Sequence, residues 1–88
     1  KNNRLPHLVL VINVKNKALV KAVGMRIREL RTLRGFSQEE LAYEADVPLS
    51  QIGRIERGEN NPTISTLYVL AQALHVDIKD LLDIKLKK

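Results

Sequence analysis

The sequence predicts an all-α fold, a compact bundle of five short helices, with one β-strand ahead of it. Three observations carry that prediction. Apolar residues recur at three- and four-residue steps through most of the chain, the spacing of helices with one buried face. Capping residues stand where such runs begin, and glycines where two of them stop. Only Leu8-Val9-Leu10-Val11-Ile12-Asn13-Val14 departs from the pattern, as a continuous run rich in β-branched side chains.

In chain order, Lys1–Arg4 is a basic end, and Pro6 and Lys15-Asn16-Lys17 bracket the strand at 8–14. A lone strand cannot satisfy its own backbone. Its partner is either the C-terminal segment Asp83-Ile84-Lys85-Leu86-Lys87, which alternates apolar and polar, or the same strand of a second subunit. The first helix spans 18–34, with Leu19, Val23, Ile27, Leu30 and Leu33 on one face. Gly24 marks a weak point in it or the true start of the domain's first helix, and Gly35 ends it.

The second helix, 37–45, opens on Ser37 with Glu40 three residues later, a capping-box pattern, and turns Leu41, Ala42 and Ala45 inward. Asp46 takes the turn, Val47 plugs it, and Pro48 opens a third helix, 48–57, at its first position. Ile52 and Ile55 share the inner face of that helix. Ser50, Gln51 and Arg54 are left outside, and Gly58 stops it. Gly58–Pro62 is loop chemistry. Thr63 caps a fourth helix through Leu74, with Leu67, Leu70, Ala71 and Leu74 inward, and Asp77 caps a short fifth, 78–82. The domain division that follows is a basic leader at 1–21, a helical domain at 22–83 and a basic tail at 84–88.

Composition narrows the class. Hydrophobic residues make up 44% of the chain but only three are aromatic (two Tyr, one Phe), so the core is aliphatic. Without cysteine there is no disulfide, thiolate metal site or sulfur nucleophile. No apolar run reaches membrane-spanning length, and the expected compartment is the cytoplasm of a bacterial, archaeal or phage-infected cell. Residues 1–34 hold nine basic side chains and one acid, for +8; residues 35–88 hold six basic and nine acidic, for −3. That asymmetry points to a polyanionic partner met from one side. A helix that shows hydroxyl, amide and guanidinium groups, braced by another helix, suits the major groove of DNA.

Three motifs in order, Arg31–Ala42 (Arg-x-x-x-Gly-Phe-Ser-Gln-Glu-Glu-Leu-Ala), Ile52–Gly58 (Ile-x-x-Ile-Glu-Arg-Gly) and Asn61–Leu67 (Asn-Pro-Thr-x-x-Thr-Leu), resemble the lambda-repressor-like, Cro/XRE-type helix-turn-helix family. The resemblance covers about Gly24 to Leu82. It implies a five-helix lambda-repressor-like bundle and binding to double-stranded DNA. By the same resemblance Gln38 bonds a phosphate at the start of the second helix, where a helix N-terminus favours anions. Ser50, Gln51 and Arg54 match the base-facing positions, and Leu49 fits beside them, able to meet a thymine methyl. Arg57 and, in the loop, Asn60 and Asn61 are further candidate phosphate contacts. Arg31 and Glu56 match a buried ion pair whose role is structural. The chain departs from the pattern in two places. Asp46 stands where glycine is common in the turn, and Pro48-Leu49 replaces a polar pair, which leaves fewer donors for bases.

No enzyme or metal constellation accompanies these motifs. His7 and His75 are isolated, Glu39-Glu40 sits where carboxylates favour a helix dipole, and Gly53 and Gly58 form no phosphate-binding loop. No cofactor, metal or membrane is expected. The reading is a sequence-specific DNA-binding transcriptional regulator, a repressor, acting as a homodimer through the fifth helix, the N-terminal strand or both. Its rival is a protein-binding module on the same scaffold, such as an antitoxin or coactivator, that takes a protein partner through residues 5–14.

Overall fold

The structure, a computed structural model, describes residues 16–86. Five helices follow one another among the described residues: α1 (Lys17–Leu33), α2 (Gln38–Ala45), α3 (Leu49–Glu56), α4 (Ile64–Leu74) and α5 (Ile78–Leu81). The strand expected at 8–14, and with it the protein-binding surface at 5–14, lies outside the described residues. Its expected C-terminal partner is irregular from Asp83 to Leu86. Helix α1 runs through the expected boundary between residues 21 and 22. No helix among the described residues is long and apolar enough to cross a membrane.

Local chemistry sets the helix starts. Asn16 accepts from the Leu19 N–H at 2.9 Å. At α2 the capping box is closed in both directions, Glu40 N–H to Ser37 Oγ at 3.0 Å and Ser37 N–H to Glu40 Oε1 at 2.7 Å. Thr63 Oγ1 accepts from Thr66 N–H at 3.1 Å, and at α5 the Asp80 carboxylate accepts from Asp77 N–H at 2.9 Å. Pro48 differs from expectation by one residue. It stands before the helix with ψ 140°, and its carbonyl accepts the N–H groups of Gln51 and Ile52.

The ends of α1 to α4 share one design. A residue in the left-handed region (Gly35, Asp46, Gly58 or His75, φ 57–78°) turns the chain, and the next N–H reaches back five residues to a helix carbonyl. These bonds run from Phe36 to Arg31, Val47 to Ala42, Glu59 to Arg54 and Val76 to Ala71, at 2.8–3.0 Å. Asp46 therefore does take the positive φ that the turn requires, at 57°. Phe36, Val47 and Val76 each fold back onto the core, the usual companion of this closure. Glu59 is the charged exception.

Among the described residues the largest fully buried side chains are Ile27, Leu41, Ile52, Ile55, Leu70, Leu74 and Leu81, each contributing about 1.5–3 kcal/mol. The core is aliphatic, as composition predicts; Tyr43 and Tyr68 are exposed. The buried stripe of α1 is Val20, Val23, Gly24 and Ile27. Leu19 and Leu33 were expected in that stripe but are exposed, Leu33 by 76%. Helical spacing correctly gives the face, but among the described residues no partner helix covers the two ends of it. Gly24 is neither a weak point nor a helix start. A Cβ there would lie 2.1 Å from the Ile55 carbonyl oxygen, so α1 and α3 meet backbone to backbone at this glycine. Arg26 secures the other side of α1, donating from Nε to the Asp80 carbonyl at 2.9 Å.

Candidate nucleic-acid interface

Helix α3 has one committed face. Ile52 and Ile55 enter the core, Gly53 and Glu56 are buried, and the helix rests on Gly24 of α1. What remains faces solvent: Ser50 and Arg54 are exposed, and Leu49 is 45% exposed. Gln51 is half-buried at the edge of a hollow shared with Ala45–Pro48 and with Ser65, Thr66 and Val69 of α4. The first-turn N–H groups of α3 that a helix leaves unpaired lie at the same end as Leu49 and Ser50.

A four-residue network fixes the far end of α3. Glu56, with 2% of its side chain exposed, accepts from Arg31 Nε at 2.6 Å and from Arg31 Nη2 at 3.0 Å. Arg31 Nη1 also donates to the Phe36 carbonyl at 2.8 Å. The bond to Glu56 raises the pKa of the Arg31 guanidinium despite the opposing effect of burial. The ion pair implied by the resemblance is therefore present and two-pronged. The third partner is new: Gln38 Nε2 donates to Glu56 Oε1 at 2.9 Å. The end of α1, the start of α2 and the end of α3 thus converge on one carboxylate. Gln38 is half-buried, held by the residue that also anchors α3.

Arg57 is exposed and forked onto Glu59, with Nε–Oε2 at 3.0 Å and Nη2–Oε1 at 3.2 Å. Its Nη1 lies 3.0 Å from where a Cβ on Gly53 would stand, so the guanidinium is drawn back over α3. Bonding to Glu59 raises the Arg57 pKa, and the bond from Arg57 holds the Glu59 carboxyl below its ordinary value, with a smaller contribution from Arg54. Asn60 is half-buried and Asn61 exposed in the loop before Pro62. Among the described residues no hydrogen bond fixes either side chain.

The structure thus gathers Leu49, Ser50 and Arg54 on one open face, with Gln51 at its border. Gln38 and Arg57 are each held by a glutamate, and the two asparagines are left in the loop. The sequence reasoning missed Glu59 and the inward bond of Gln38. A signal for the first was available, since Gly58 in the left-handed region turns residue 59 back onto the last turn of α3, beside Arg54 and Arg57.

Two short helices joined by a tight turn, the second held by its buried face and open on the other, constitute a helix-turn-helix. The helix-turn-helix family model HTH_3 matches residues 27–81. The control protein C.BamHI of Bacillus amyloliquefaciens is 39% identical over 61 residues, covering 68% of this chain and 75% of that protein. Among solved structures, the restriction-modification controller protein C.AhdI of Aeromonas hydrophila superposes with a TM-score of 0.68 at 43% identity, over 72% of this chain and 94% of that one. SinR, the master regulator for biofilm formation, solved in complex with DNA, gives 0.67 at 39% identity, over 69% and 98%. The chain belongs to the Cro/XRE-type helix-turn-helix family and is a DNA-binding transcriptional regulator of that type.

Proposed function

We propose that the chain is a sequence-specific repressor that reads the major groove with residues 48–57 and acts as a homodimer. The observation that carries this reading is the division of α3. One face is locked by Ile52, Ile55 and the Glu56 network, and the other presents Leu49, Ser50 and Arg54 free of the core. That is the arrangement a reading helix needs, rigid behind and polar in front. Arg54 suits guanine and Gln51 suits adenine, while Gln38, Arg57, Asn60 and Asn61 are proposed for phosphates. The relatives support the reading: one is a control protein, and SinR was solved on DNA. A head of this size gains affinity by pairing on half-sites about one helical turn apart. Leu82 and Leu86, both exposed after α5, are the proposed contact between subunits.

Site selection from random duplex, followed by titration as salt is raised, tests this. A palindromic site is expected. Arg54→Ala then costs about 1–3 kcal/mol on that site and relaxes preference at one position. Gln38→Ala weakens every sequence alike. Transcription from a promoter overlapping the site falls on adding the protein, and Leu82→Glu returns the sedimenting species to a monomer. Binding indifferent to both Arg54→Ala and Gln38→Ala would refute the reading.

A further inference from the structure

We propose that Glu59 serves as an internal stand-in for a DNA phosphate, holding the Arg57 guanidinium in the free protein and weakening binding to duplex of every sequence until a phosphate replaces it. The inference rests on the DNA-binding reading above and adds a residue that tunes it. Four observations converge. First, both prongs of the guanidinium are taken by both carboxylate oxygens, at 3.0 and 3.2 Å, the fork geometry in which arginine also grips phosphate. Second, Arg57 is drawn back over Gly53, on the helix whose outer face is open, where any larger residue would meet its Nη1. Third, the Glu59 backbone is fixed independently of Arg57. Its N–H is bonded to the Arg54 carbonyl at 2.8 Å, and the preceding Gly58 packs against Lys21 of α1, where a Cβ would come within 3.0 Å of the backbone. Fourth, the equivalent position at the ends of α1, α2 and α4 is an apolar residue folded onto the core, and only at the end of α3 is it an acid.

An exposed glutamate is ionised at neutral pH in any case, and the bond from Arg57 lowers its pKa further, so the pair is intact there. A phosphate approaching Arg57 must displace this tethered competitor, whereas Glu59 itself gains nothing from DNA. Since the exchange occurs at the backbone, its effect carries no sequence information.

A double-mutant cycle reads the coupling. Wild type, Glu59→Gln, Arg57→Gln and the double variant are titrated by fluorescence anisotropy against a random-sequence duplex and a selected duplex at one salt concentration. Glu59→Gln is expected to bind both duplexes about two- to fivefold tighter, the range of an exposed ion pair. In the Arg57→Gln background the same change is expected to do nothing. A gain that persists without Arg57 would reveal only the loss of a negative charge and overturn the proposal. So would an unchanged or weaker Glu59→Gln protein, or a gain confined to the selected duplex. Failure of the wild type to bind any duplex overturns the DNA reading and this proposal together. An uncoupled cycle with wild-type binding intact removes this proposal alone.

Discussion

Helix α3 ends between two arginine–glutamate pairs whose acids are three residues apart in sequence. In the Arg31–Glu56 pair the side chains are 12% and 2% exposed; in the Arg57–Glu59 pair they are 58% and 56% exposed. The chemistry is the same and each guanidinium makes two bonds to its glutamate, yet burial divides their roles. Away from water, removing one partner strands the other, and the pair becomes part of the architecture. In water the same contact is weak and exchangeable. One side of α3 is therefore pinned and the other can trade its partner.

The largest effect is expected on the buried side. Arg31→Ala should cost about 3–5 kcal/mol in urea denaturation, and Glu56→Ala less, about 3 kcal/mol. The ordering follows from geometry. Among the described residues, Glu56 without Arg31 keeps only Gln38, deep in the protein; without Glu56, Arg31 retains the Phe36 carbonyl and some solvent. Equal, sub-kcal costs would mean that the pair does not organise the helices.

Next comes Gly24→Ala. A methyl 2.1 Å from the Ile55 oxygen can be accommodated only by moving α1 off α3, because the obstacle is backbone. About 3 kcal/mol is expected, the upper end of overpacking and well beyond the roughly 1 kcal/mol that alanine returns as a better helix former. A stabilised variant in the same denaturation would show that the helices are not in contact there.

The smallest effect lies on the exposed side. Arg57→Ala should lower the thermal midpoint at neutral pH only slightly and move the Glu59 carboxyl up toward its ordinary value of 4.5, followed by carbon NMR through an acid titration. The sign is fixed by the lowered pKa. The contribution of the pair is present above the ordinary value and lost as pH falls through the lowered one. A Glu59 titration unchanged by the substitution would separate the two side chains.

Much of this frame is legible in the sequence because its punctuation is local. Ser37 with Glu40, Thr63, Asp77, Gly35 and Gly58 act within a few residues of themselves, and each stands where expected. Ile52 and Ile55 fix the hidden face of α3, and so reveal the open one. What escapes depends on partners distant in sequence. The spacing of Leu19 and Leu33 matches that of Ile27, but how far the neighbouring helices extend is not written in α1. A glycine in an amphipathic run reads as weakness until a second backbone is laid against it, as at Gly24. His75 looks like an isolated imidazole, whereas its φ of 60° closes α4. Gln38 reads correctly as the first residue of α2, but its bond to Glu56 needs three helix ends to meet.

The length of α3 sets a limit of another kind. Eight residues span about 12 Å, and at about 3.4 Å per base pair that is a stretch of roughly four steps of the duplex. Any given word of four letters recurs by chance about once in 256 positions, against the millions of competing sites in a genome. On the proposed reading, a single copy of this helix names a syllable rather than an address. The information that picks out one locus then comes, under that proposal, from how many heads are engaged and how far apart they are held.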